Sequence, residues 1–112
     1  MEMTTETLDR GVMMITLAGR LDILGAQNID LHCSAIAGAH RKVIVDLEKV
    51  DFLASLGIRT LILGAKSVRS KGGRMVLLRP QPEVEKVIIA SGTDTVIPVL
   101  WNLDAAIAAM PE

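Results

Sequence analysis

Hydrophobic positions along the chain follow two periods, one suited to strands and one to helices. Met13-Met14-Ile15-Thr16-Leu17-Ala18 is short, apolar and partly β-branched, lies between Gly11 and Gly19, and reads as a strand. The threonine-rich Met3–Thr7 is placed to pair with it across the Asp9-Arg10-Gly11 turn. Ala26, Ile29, Cys33, Ile36 and Ala37 then recur at helical spacing, predicting a helix that ends near Gly38. Lys42–Leu47 is the clearest strand, followed by a polar break at Glu48-Lys49 and a short apolar link, Val50–Leu53, in which Phe52-Leu53 looks buried. From Ser55 a long helix is expected, with Ile58, Leu61, Ile62, Ala65 and Val68 as its apolar stripe and Gly72-Gly73 as its stop.

Arg74–Leu78 reads as a further strand, closed by Pro80. Pro82 suits the first turn of a helix, and Glu83 and Glu85 favour its positive end. That helix turns Val84, Val87 and Ile88 inward and stops at Gly92. Thr95-Val96-Ile97 is expected as a short strand before Pro98, and Asn102 as the cap of a last helix with Leu103, Ala106, Ile107 and Met110 inward. The order ββαβαβαβα implies an α/β domain, mostly parallel, spanning residues 1–112 as one unit. Both faces of the strands are apolar, yet only four helices are available. This predicts that part of one sheet face is left exposed for a partner or for a homodimer.

Composition narrows the function classes. Half of the 112 residues are apolar and 22% are charged, which excludes intrinsic disorder. The longest uncharged run, Leu31–His40, is far short of the roughly 20 apolar residues of a membrane span. Glu2, Thr4, Thr5 and Glu6 do not form a basic-then-apolar signal segment, so a cytoplasmic protein without membrane insertion is expected. The net charge of −1 and two aromatic residues argue against direct nucleic-acid binding. Cys33, alone, cannot form an internal disulfide, and with His32 and His40 it has poor metal-ligand spacing; it reads as a buried thiol. No metal, cofactor or catalytic set is expected. The chain has no nucleophile elbow, phosphate-binding glycine loop or zinc helix, and Asp22, Asp46 and Asp51 are the only carboxylates expected near each other at strand ends.

Ser55 is the informative position. It is expected as the N-cap of the long helix, where a phosphate would meet free N–H groups and the positive helix end, with Arg59 one turn on. Gly57, lacking a side chain, is expected to let a partner approach closely.

The stretch Val45-Asp46-Leu47-Glu48-Lys49-Val50-Asp51-Phe52-Leu53-Ala54-Ser55-Leu56-Gly57-Ile58 resembles the signature of STAS domains, in particular bacterial anti-sigma factor antagonists. Leu17-Ala18-Gly19-Arg20-Leu21-Asp22 and Lys71–Leu77 resemble two further landmarks of that family, in order and at matching spacing. The resemblance implies a βα superhelix: a mixed sheet of about five strands with four helices mainly on one face. It implies binding to an anti-sigma factor, often a serine kinase of the histidine-kinase-like ATPase fold, release when the motif serine is phosphorylated, and reset by a phosphatase. Ser55 matches that serine, and Asp22 the aspartate beside it. Asp22, Ala54, Ser55, Leu56, Gly57 and Arg59 are thus the expected partner-binding residues. Two positions depart from the pattern: Ala54 replaces an aspartate, and Leu56 a serine or threonine. A second reading, that of a small STAS subunit of a lipid-transport ABC complex, would need no phosphorylation.

Overall fold

The computed structural model of the protein describes residues 1–111. Five strands form one sheet in the order β1 (Glu2–Thr7), β2 (Met13–Leu21), β3 (Lys42–Leu53), β4 (Arg74–Leu78) and β5 (Val99–Leu100). β1 and β2 are antiparallel, as a short turn between them requires, and every later neighbour pair is parallel. The parallel connections carry α1 (Ile23–Ala39), α2 (Ser55–Arg69) and α3 (Pro82–Ala90), and α4 (Leu103–Ala108) follows β5.

Alternation along the strands sends side chains to two cores. Ile15, Leu17, Val43, Val45, Leu47 and Leu77 pack with Ile29 and Ile36 of α1, Leu61 and Val68 of α2, and Val84 and Ile88 of α3. On the other face Ile44, Val76 and Leu78 pack with Ala106 of α4 and with Met110. The expected exposed apolar face is therefore corrected: Ile44, Val76 and Leu78 are each 0% exposed. One short helix suffices because Asp46 also points to this side, where it needs a polar partner and not an apolar cover. Arg79 supplies one, donating from Nη2 to Asp46 Oδ2 at 3.0 Å and from Nε to Oδ1 at 3.3 Å.

Two boundaries differ from those expected. Glu48-Lys49 does not interrupt β3, which runs through to Leu53. The polar residues sit where the register against β2 shifts: Thr16 pairs with Asp46 but Ala18 with Lys49, so β3 carries an extra residue there. Thr95–Ile97 is not a strand. Thr93–Thr95 forms a 3-10 turn, and the buried Thr93 accepts N–H bonds from Val96 and Ile97 through its carbonyl. Sheet pairing begins at Pro98, whose carbonyl accepts from Leu77 N at 2.9 Å; a proline lacks only the donor.

Candidate functional site

The site lies where β2 and β3 end together and α1 and α2 begin. Leu21 pairs with Leu53, and Ala54 N donates to Leu21 O at 3.0 Å, holding the two strand-to-helix junctions side by side. Asp22 is the N-cap of α1, its carboxylate accepting from Gly25 N at 2.9 Å. That bond holds the Asp22 carboxyl below the usual carboxylate range, and Arg20, 3.4 Å away, adds to the effect.

Ser55 is exposed at this junction, but it is not the N-cap. Ala54 occupies that position in extended conformation (φ −111°, ψ 173°), its carbonyl already accepting from Ile58 N at 3.0 Å. Ser55 is consequently the first helical residue, and no side chain caps α2. Because the residue at the cap position is an alanine, no side-chain acceptor serves the first turn of α2, and its N–H groups stay open at this junction.

Gly57 is also corrected. It is buried, facing inward. A Cβ there would lie 2.6 Å from Leu21 Cγ, 2.6 Å from Leu21 O and 3.0 Å from Leu53 Cδ1. The missing side chain lets α2 sit down on the strand ends, so Gly57 sets the position of Ser55 from beneath and leaves no opening for a partner. Leu56 projects outward and is 37% exposed. Arg59 lines a shallow groove of about 180 Å³ between α1 and α2, together with Gln27, Asp30 and Leu56. Thr60 closes the groove floor, its buried hydroxyl donating to Asp30 Oδ1 at 2.5 Å.

The structure adds residues that pattern reading overlooked. Ile23, Leu24 and Phe52 are exposed at the same junction, Leu24 by 75%. Phe52, expected inside, lies outside with the Arg20 guanidinium 4.1 Å from its ring centroid. The cause is Asp51, a second extra residue opposite β2: Gly19 pairs with Val50 but Arg20 with Phe52. Such a shift turns the next side chain over. The strand-to-helix junction thus carries exposed apolar side chains together with the exposed Ser55.

The three aspartates do not assemble. Asp46 is tied to Arg79, Asp22 caps α1, and Asp51 is exposed. Among the described residues no group of three or more His, Cys, Asp or Glu is placed to hold a metal ion. Cys33 is half-buried with its Sγ 3.8 Å from Met3 Sδ; burial, with a smaller contribution from Asp30, pushes its pKa up to about 11.

Residues 4–106 match the model of the STAS domain family. BtrV of Bordetella bronchiseptica, whose assignment as an anti-sigma factor antagonist is provisional, is 31% identical over 97% of this chain and 94% of its own length. An anti-sigma F factor antagonist of Lysinibacillus sphaericus is 29% identical over 94% of this chain and 87% of its own. Among solved structures, the Bacillus cell fate determinant SpoIIAA in its phosphorylated form is similar, with a TM-score of 0.73 and 25% identity over 96% of this chain and 97% of its own.

Proposed function

The chain belongs to the STAS domain family, and from that premise we propose that it is an anti-sigma factor antagonist working by partner switching through Ser55. The observation that carries this reading is the exposed Ser55 at the uncapped start of α2, at a junction that also exposes Leu24, Phe52 and Leu56. The unphosphorylated chain binds an anti-sigma factor in the cytoplasm, and the sigma factor is freed. The anti-sigma factor is a serine kinase of the histidine-kinase-like ATPase fold, and it phosphorylates Ser55. A phosphatase restores the binding form. The chain acts by binding and not by turnover.

Physical chemistry makes the switch local. A phosphate on Ser55 brings nearly two negative charges. In the free protein they face water and the open N–H groups of α2. Under a docked partner they would be stripped of water among apolar side chains, with the Asp22 carboxylate close by. Burying an uncompensated charge costs several kcal/mol, and each 1.4 kcal/mol is about tenfold in affinity. On this reading Asp22, Ala54, Leu56 and Arg59 contribute to the partner-binding surface, while Gly57 seats the start of α2 on the strand ends.

A paired pull-down from native lysate tests the reading, with the wild-type chain and Ser55→Asp as baits. The expected result is a histidine-kinase-like ATPase retained by the wild type and lost from Ser55→Asp, with both baits melting within a few degrees of each other. Identical partners on both baits would overturn it. If those partners were transporter subunits, they would favour the reading as a subunit of a lipid-transport complex.

A further inference from the structure

Lysine and arginine are unevenly spread over this fold. Arg41, Lys42 and Arg74 stand where the parallel strands begin, and Arg69 and Lys71 where α2 ends, so that five cations gather at the end of the sheet opposite Ser55. Each is fastened to a backbone carbonyl. Arg41 donates to Lys71 O and Gly72 O, Lys42 to Arg10 O, Arg69 to Val96 O at 2.6 Å, Arg74 to Ala109 O at 2.9 Å, and Lys71 to Ala37 O. Ion pairs among the described residues involve only Arg20, Arg79 and Lys86. These five cations are thus held in place by neutral acceptors, and no carboxylate among the described residues pairs with them.

Part of this arrangement serves the fold: Lys71 on Ala37 O complements the negative end of α1. Arg69 and Arg74 reach other segments. Their carbonyl partners belong to the segment before β5 and to the chain after α4, and both arginines line a cleft of about 490 Å³. Gly73, Asp94, Thr95 and Pro98 are among its other wall residues, with the apolar Ala65, Met75 and Val96 beside them. A guanidinium has five N–H donors, and each arginine has a single hydrogen bond to a carbonyl, so a forked set of donors remains on each. The volume lies in the range of small-molecule sites. Asp94 sets one carboxylate on the same wall, which disfavours a bare polyanion and suits a ligand that also carries hydroxyl donors.

We propose that the cleft between the end of α2, the start of β4 and the Asp94-Thr95 turn binds a small hydroxyl-bearing phosphate ester, with Arg69 and Arg74 on the phosphate and Asp94 on a hydroxyl. This site is separate from the Ser55 surface and does not depend on how that surface functions.

Amide chemical shifts of the full chain, titrated at low salt with ribose 5-phosphate and, separately, with inorganic phosphate, test the proposal. Saturable shifts at Gly73 and Thr95 are expected with the ester at millimolar concentration, and weaker ones with inorganic phosphate. Arg74→Gln should weaken ester binding at least about tenfold, or roughly 1.4 kcal/mol. Arg74→Lys, which keeps the charge but loses the fork, should also weaken it. Asp94→Asn should remove the preference for the ester over inorganic phosphate. The spectra themselves report whether each variant is folded. No saturable shift, shifts unchanged in folded Arg74→Gln, or equal responses to both probes in the wild type would overturn the proposal.

Discussion

Replacing Gly57 with alanine tests the geometry that places Ser55. In an open helix the change would stabilise, because alanine is the better helix former by up to about 1 kcal/mol. Here two contacts oppose it. The new methyl would stand 2.6 Å from Leu21 Cγ and 2.6 Å from Leu21 O, and the second of these atoms is backbone already bonded by Ala54 N. A side chain could rotate away, but that carbonyl cannot move without parting the two junctions. Overpacking of this kind costs about 1–3 kcal/mol, and the immobile carbonyl puts it at the upper end. The net expectation is a loss of about 2 kcal/mol. At about 4 °C per kcal/mol for a domain near this size, Tm falls by about 8 °C. Gly38→Ala is the matched control: Gly38 lies in α1, where an added Cβ would meet no atom within 4 Å, so this change should raise Tm by a few degrees. Urea denaturation followed by circular dichroism, with an unchanged m value, supplies the free energies. A Gly57→Ala protein as stable as the wild type would mean that α2 is not seated on Leu21 and that Gly57 does not set the position of Ser55.

Other consequences are as direct. Arg79→Met should cost about 3 kcal/mol and Asp46→Asn only about 1, because the first strands a carboxylate that is 6% exposed whereas the second leaves an arginine that is 37% exposed and can turn to water; chemical denaturation of both variants would show the order. Cys33 should react with iodoacetamide about 100-fold more slowly at pH 8 than an unperturbed thiol, with the rate rising toward a midpoint near pH 11 and recovering in urea. The same shift predicts that stability declines as pH rises above about 9: the unfolded thiol ionises first, so the unfolded state binds fewer protons there. Thr60→Val should lower stability by about 1 kcal/mol, since the hydroxyl bond to Asp30 is lost but the carboxylate can still reach solvent; a thermal melt decides it.

Much of this protein was legible along the chain because strand and helix periods are local. The β-hairpin, the order of strands and helices, the stripe of α2 and the cap at Asn102 all follow from spacing and from residues a few positions apart. Ser55 could be singled out for the same reason: a helix start is a local event. What the sequence left open were matters of distance between segments far apart in the chain. Whether the second sheet face was bare depended on where α4 came to rest, and on Arg79 reaching Asp46 from 33 residues away. Whether Phe52 faced in or out depended on two register shifts against β2, and each shift reverses every side chain that follows. Whether Gly57 faced a partner or Leu21 depended on how deeply α2 settles onto the strand ends. Periodicity identifies which residues prefer burial, but only packing in three dimensions determines what each of them meets, because those contacts are made between residues that the chain itself keeps apart.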